Sequence, residues 1–342
     1  MGKVVIIMVL GLSIGFGIIS SSLSRSNMET LDTTTGYFKY SNARNIAHSA
    51  INLKLRKVDN GESPTASISG SVMGGTYLVD SIFFRNDSLG LRSTAQYLDT
   101  IYRVRTMFRR YPKPFPTVGA AVGLHVFGVG FNMSGSPFID GNNHDINGNL
   151  ISPSVPANNL PGVETMNKPD SITVAGYSSK IAGSPTKVGV NPGMANPADF
   201  GSEYIAMADY TYSPGTYGSN MTWGSVTNPV IVYANAGVDL VKFAGSIEGW
   251  GVLVCSGDIQ FSGSFTFHGL VIPYSDTQID FATTTGTPRI IGAVLMGGAT
   301  GSTFEMKGNG EALYSKDAID KAKMIQKLLY YKILSWYENY RE

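Results

Sequence analysis

The chain has 342 residues, of which 43% are hydrophobic and 15% charged, with 40 glycines and a formal net charge of +1. Near-neutral charge excludes the basic footprint of a nucleic-acid binder, and a single cysteine, Cys255, excludes a disulfide framework and any multi-thiolate metal centre. Charge well below the usual ~25%, alongside abundant Gly, Ser, Thr and Tyr, points to a β-rich protein working outside the cell.

From Val4 to Ser24 the sequence carries no charge, with Lys3 before it and Arg25 after it. At 1.5 Å rise per residue this segment reaches roughly 30 Å, the thickness of one hydrocarbon core. A secretory signal peptide is the competing reading. The length of the apolar run and the missing Ala-x-Ala cleavage pattern weigh against it. Val4, Ile7, Leu10, Ile14, Phe16 and Ile18 make up the greasy surface, as a membrane or filament helix. Gly11 and Gly15 stand at the Gly-x-x-x-Gly spacing that lets helices approach closely. Helical character resumes over Tyr37–Lys57. There Ala43, Ile46, Ala47, Ala50 and Leu53 recur at three- and four-residue steps, and Arg44, His48, Asn52 and Arg56 occupy another face. One long helix over residues 1–58 is expected, bare in residues 1–24 and amphipathic later. The β-branched run Thr33-Thr34-Thr35 and Gly36 should kink or melt it.

Residues 59–116 read as an antiparallel meander, because Thr76–Phe84 and Ile101–Arg109 alternate while Gly74-Gly75 and Asn86-Asp87-Ser88 supply turns. Pro112, Pro114 and Pro116 close it. Residues 117–342 form a second, β-rich region that faces outward. Its stretch 152–229 is dense in Pro, Gly, Asn and Ser, with room for one short helix within 198–212. Strands return at Val230. A docked amphipathic helix is expected over Lys316–Tyr340, where Ile319, Ala322, Ile325, Leu328, Leu329, Ile333 and Trp336 keep a helical step.

Glycine falls at 245, 251, 257, 263 and 269, with strand-like residues in every interval. A phosphate-cradling loop needs closer glycines directly between strand and helix. Gly245, Gly251, Gly257, Gly263 and Gly269 are therefore read as structural corners. They turn Val252/Val254, Ile259/Phe261 and Phe265/Phe267 toward one interior, as in a β-helix or solenoid wall. A plain antiparallel sandwich is the competitor. The expected class is α+β: a long hydrophobic helix with an antiparallel meander, then a β-helix-like domain and a C-terminal helix.

Chemistry is thinly marked. Gly11-Leu-Ser-Ile-Gly15 matches a serine-hydrolase elbow by chance, inside an apolar helix. The four histidines lie far apart, and Cys255 reads as a small buried hydrophobe. His268, ahead of a glycine, reads as a turn residue. Asp140, Asn142, Asp145 and Asn147, between Gly141 and Gly148, offer the oxygen ligands that a calcium ion takes; a bare turn using the same residues competes. Asn86, Asn132 and Asn220 head glycosylation sequons. No catalytic pair stands out, so no enzyme is expected.

Three places resemble the type IV pilin superfamily, and within it the large PilX-like pilins. They are Asn42–Leu53 after the apolar helix; Gly74-Gly-Thr-Tyr-Leu-Val with Leu91–Tyr97 and Tyr102-Arg-Val-Arg; and Phe138–Asp145 with Gly251–Ile272. The family's Glu at the fifth mature position is replaced by Val5 counted from Met1, or by Ile7 counted after Gly2. The resemblance implies a structural subunit of a type IV pilus-like filament, held in the inner membrane before assembly. Its implied partners are further copies of itself and the pilus assembly machinery. A membrane-tethered binding protein that never polymerises and a carbohydrate-active β-helix enzyme are the alternatives.

Overall fold

The computed structural model describes residues 2–85, 87–152 and 155–338, with side chains from Ile6 onward. The sequon at Asn86 and the end of the expected C-terminal helix, residues 339 and 340, lie outside the described residues. The chain is mixed α+β and divides into two compact units. One comprises the residues up to Tyr111 plus those from Tyr330, the other Pro112–Leu329.

In the first unit, helix α1 runs unbroken over Gly2–Asp59. The expected break at Thr33–Gly36 is absent. Neighbouring hydroxyls turn back on their own helix, Thr30 donating to the Ser26 carbonyl and Thr33 to the Glu29 carbonyl, each at 2.8 Å. This leaves the hydroxyls satisfied without a competing turn. Gly61, at φ +92, ends the helix. Gly61 N donates to the Val58 carbonyl and Glu62 N to the Lys57 carbonyl, the paired bonds of a Schellman stop.

Strands β1 (Ile68–Val72), β2 (Gly75–Arg85), β3 (Ser88–Tyr97) and β4 (Thr100–Pro112) pair antiparallel in chain order. Period-two alternation sends Tyr102, Val104, Thr106 and Phe108 of β4 inward. There they share a core with Ala43, Ile46, Ala47, Ala50 and Ile51 of α1. Leu53 is not part of this face; it is exposed, and Lys54 is buried in its place. The Lys54 ammonium reaches the Ser63 carbonyl at 2.8 Å. Burial pulls the Lys54 pKa down, and Glu62 opposes that less strongly.

The C-terminal region departs from expectation. A helix is present, but α4 covers only Lys316–Ala322, capped by Ser315. From Leu329 to Glu338 the chain is a strand beside β4, so this stretch belongs to the first unit rather than to the domain expected over 117–342. Tyr330, Tyr331, Ile333, Trp336 and Tyr337 favour strand, and the open edge of β4 supplies a hydrogen-bonding partner.

The second unit is a large parallel sheet of 15 strands curled on itself. Strand Val230–Phe243 lies beside Ser246–Tyr274, with Val230 opposite Gly251. Arg289–Gly297 follows, with Thr266 opposite Arg289, and then Glu311–Tyr314, with Arg289 opposite Glu311. Each partner is roughly twenty residues further along the chain. These strands pair parallel, which excludes the antiparallel sandwich. The early strands Val122–His125, Gly130–Gly135 and Phe138–Asp140 stack on the last turn, with Val122 opposite Val294 and Phe138 opposite Glu311.

Two short helices stand among the loops of this unit. Helix α2 (Lys168–Ala175) begins at Asn167, whose side chain accepts from Asp170 N, and α3 spans Ala198–Ala206. Inside the curl, aromatic rings stack from turn to turn. Phe281 and Phe304 lie 4.9 Å apart at 3°, and Phe131 continues the pile 5.5 Å from Phe304. Val252, Val254, Ile259, Phe261, Phe265 and Phe267 are all in this core.

Candidate functional site

The surface that calls for an explanation is the first half of α1. A helix that is apolar on all sides belongs in a protein core or a bilayer. Here Ile7, Leu10, Ile14, Phe16 and Ile18 are 56–70% exposed, and the most apolar window of the helix has a mean hydropathy of 2.1 with none of it buried. Beyond it, Leu31 and Phe38 are also open. No atom approaches within 4 Å of where a side chain would start on Gly11 or Gly15, so a second backbone has free access there. Val4 lies in the helix; its side chain is outside the described residues. Ser13 sits in the same continuous helix, without the strand-to-helix turn of a hydrolase elbow.

A bare apolar patch this long exceeds what a monomer leaves in water. By length and composition the helix is able to cross a membrane. The remaining half of the helix is fixed from below and from one side. Below, Ala43, Ala47 and Ala50 are small enough to let α1 lie close on β3 and β2.

From the side, Glu338 of the C-terminal strand gathers four partners. Tyr102 Oη donates at 2.7 Å and Arg44 Nη2 at 3.0 Å. Trp336 Nε1 donates at 3.1 Å, and His48 Nε2 lies 3.1 Å away. Burial alone would raise the Glu338 carboxyl. The bonds from Tyr102, Arg44 and Trp336 outweigh it and hold the carboxyl down at about 2. The His48 ring meets Trp336 edge-on at 4.9 Å. Sequence reasoning missed this cluster, because reading residues 329–338 as helix put Glu338 on no sheet.

The other residues singled out lie in the second unit. Asp140 Oδ1 accepts from Asn142 N and Nδ2, both at 2.8 Å. Asp145 Oδ1 accepts from Asn147 N at 2.9 Å and Asn149 N at 2.8 Å. Both carboxylates thus close Asx turns on their own loop. The hydrogen bond from the Asn149 side chain, joined by backbone donors, draws the Asp145 pKa down. Asn142 is half-buried and Asn147 exposed. Among the described residues, no group of three or more His, Cys, Asp or Glu is placed to hold a metal ion.

Gly245, Gly251, Gly257, Gly263 and Gly269 lie along the curled sheet. At Gly269, φ is +137, and a Cβ would collide with the Gly251 carbonyl of the preceding turn. Gly245 is not in the left-handed region; a Cβ there would meet the Ser219 carbonyl. Cys255 is fully buried, and burial pushes its thiol pKa well up, which keeps it protonated. His268 is a buried strand residue, not a turn residue.

No protein-family model matches this chain, and no curated protein matches it. Among solved structures, the competence-associated pilin ComZ from Thermus thermophilus aligns over 81% of this chain and 86% of that chain. The identity is 11% and the TM-score 0.22, a superposition too loose to carry any inference.

Proposed function

We propose that the chain is a non-enzymatic structural subunit of a surface filament of the type IV pilus kind, built like the large PilX-like pilins. The observation that carries this reading is one continuous helix with two opposite environments, an all-round apolar half left open and a second half locked into a folded unit. Before assembly the open half crosses the inner membrane, where a helix satisfies its own backbone. On assembly it leaves lipid and packs against the same segment of other copies, with Gly11 and Gly15 at closely approached positions.

Such a contact is head-to-tail and does not close, so it grows as a helical fibre. A stable contact buries on the order of 1,600 Å² in all, which the exposed length of α1 is able to provide. The β-rich unit is then carried outward for adhesion or for contact with neighbours, and the assembly machinery is the second partner.

The test is deletion of residues 1–24. The truncated chain is expected to be a folded, soluble monomer by sedimentation, while the full chain gives filaments by electron microscopy. Filaments from the truncated chain contradict the reading. A full chain that stays dispersed in membranes favours the tethered, non-polymerising alternative.

A further inference from the structure

A groove of ≈ 490 Å³ runs across successive turns on one outer face of the second unit. Its floor is a column of side chains contributed one per turn: Thr222 lies opposite Glu248, and Thr266 opposite Arg289. Ser246 and Ser264 form a second column in the lining. Trp250 lies flat on His268, at 3.7 Å and 3°, so the turn carrying Glu248 sits directly against the one carrying Thr266. Neighbouring turns stand about 4.8 Å apart, so four turns give a floor about 14 Å long. The loop with Asn147 and the strand end with Asn220 supply the rim.

The donor and acceptor inventory selects a ligand. His268 Nδ1 lies 2.8 Å from the Ile146 carbonyl oxygen. A carbonyl only accepts, so Nδ1 carries the proton and Nε2 of the neutral ring is an acceptor. Burial holds the His268 pKa below its ordinary value, which keeps the ring neutral; the Ile146 bond and the Glu248 charge oppose that less strongly.

His268 is 5% exposed, and its Nε2 is buried without a hydrogen-bond partner. Glu248 Oε1 stands 3.6 Å away, too far for a hydrogen bond, and is itself an acceptor. Two acceptors converging on one spot ask for hydroxyl or amide donors. Arg289 does not make the groove cationic, because its Nε is bound to Glu311 at 2.6 Å. An anionic polymer therefore finds no net positive charge here. A peptide strand laid across the floor gains no ladder hydrogen bonds, since the floor is the face of the sheet; only the strand Met221–Trp223 at its end pairs on one side alone.

We propose that this groove binds a neutral oligosaccharide, with Glu248 accepting its hydroxyls above the buried His268 ring and Thr222, Ser246, Ser264 and Thr266 exchanging hydrogen bonds with successive sugar rings. Hydroxyls repeated along a floor about 14 Å long match a ligand whose own hydroxyls repeat along its length. The site lies wholly within the second unit and works in a filament or in a single chain, so its fate is independent of the filament reading.

The test uses the full chain in detergent micelles. The probes are tetrasaccharides of glucose, galactose and N-acetylglucosamine, with tetragalacturonate as the anionic comparator. Calorimetric titration is expected to give at least one neutral tetrasaccharide a Kd between about 1 mM and about 1 µM. Glu248→Gln and Ser264→Trp each weaken it at least about tenfold at unchanged melting temperature. Asp276→Asn, outside the groove, leaves it unchanged. The proposal is overturned if no neutral tetrasaccharide binds, if tetragalacturonate binds as well as they do, or if both groove variants bind like the parent chain.

Discussion

The first and second halves of α1 share one backbone and one unbroken hydrogen-bond ladder, yet their surroundings are opposite. From Ile6 to Phe38 the large apolar side chains are open. From Ala43 to Val58 one stripe is shut inside a core with β2, β3 and β4. The docked half carries Ala where the sheet comes close and Arg44 and His48 where the C-terminal strand arrives. From Ile6 to Ser24 the bare half carries no charge and is rich in Ile, Leu, Val, Phe and Gly, and its large apolar side chains are exposed. The difference teaches that burial within the chain accounts for the second half alone. The first half is long and apolar enough to cross a membrane, and its large apolar side chains are open among the described residues.

The same substitution made in both halves sharpens the contrast most. Ile46→Ala removes a fully buried side chain and is expected to destabilise the first unit by about 2–5 kcal/mol. Ile14→Ala, in the bare half, should leave the unfolding transition of the detergent-solubilised chain where it was. Differential scanning calorimetry reads both. Equal effects would erase the distinction between the halves.

The next effect in size concerns the lateral lock. Glu338→Ala strands the buried end of Tyr102 and should cost about 1–3 kcal/mol. The pH dependence follows from the sign of the shifts. The folded Glu338 carboxyl sits at about 2, below its unfolded value of about 4.3. Its contribution is full above the unfolded value and is lost as pH falls through the folded one, between about pH 4 and pH 2.

His48 acts in the same direction. Burial lowers its folded pKa, with Glu338 pulling the other way, so the unfolded chain takes up a proton first. Stability should therefore begin to fall below about pH 6.5. Thermal melts from pH 7 to pH 3 are expected to show a decline that Glu338→Gln flattens at its acid end. A profile identical in the variant would remove Glu338 from the lock.

The smallest effect tests the facing of the docked half. Leu53 is 37% exposed, so Leu53→Ala should shift stability by no more than about 0.5 kcal/mol. A loss as large as that of Ile46→Ala would mean that the helix is rotated so that Leu53 faces the sheet.

Much of this was readable in the sequence wherever the signal was local. The uncharged run, the Ala43–Ala50 steps and the alternation of Ile101–Arg109 each state their own structure. What escaped depended on partners distant in sequence. Residues 329–336 have apolar steps that suit a helix, and the free edge of β4 decided otherwise. Leu53 and Lys54 exchange roles because Ser63, beyond the end of the helix, supplies a carbonyl for the ammonium. Glu248, His268 and Arg289 converge only through the turn-to-turn register, which the six-residue glycine spacing does not reveal.

The most direct test of the account is an electron cryo-microscopy structure of the native surface-exposed product at a resolution that traces helices. The expected result is a central bundle in which residues 6–38 of each copy pack against the same residues of its neighbours, Gly11 and Gly15 at the tightest approach. A product whose chains begin after Arg25, or whose apolar segments touch no other copy, would contradict it.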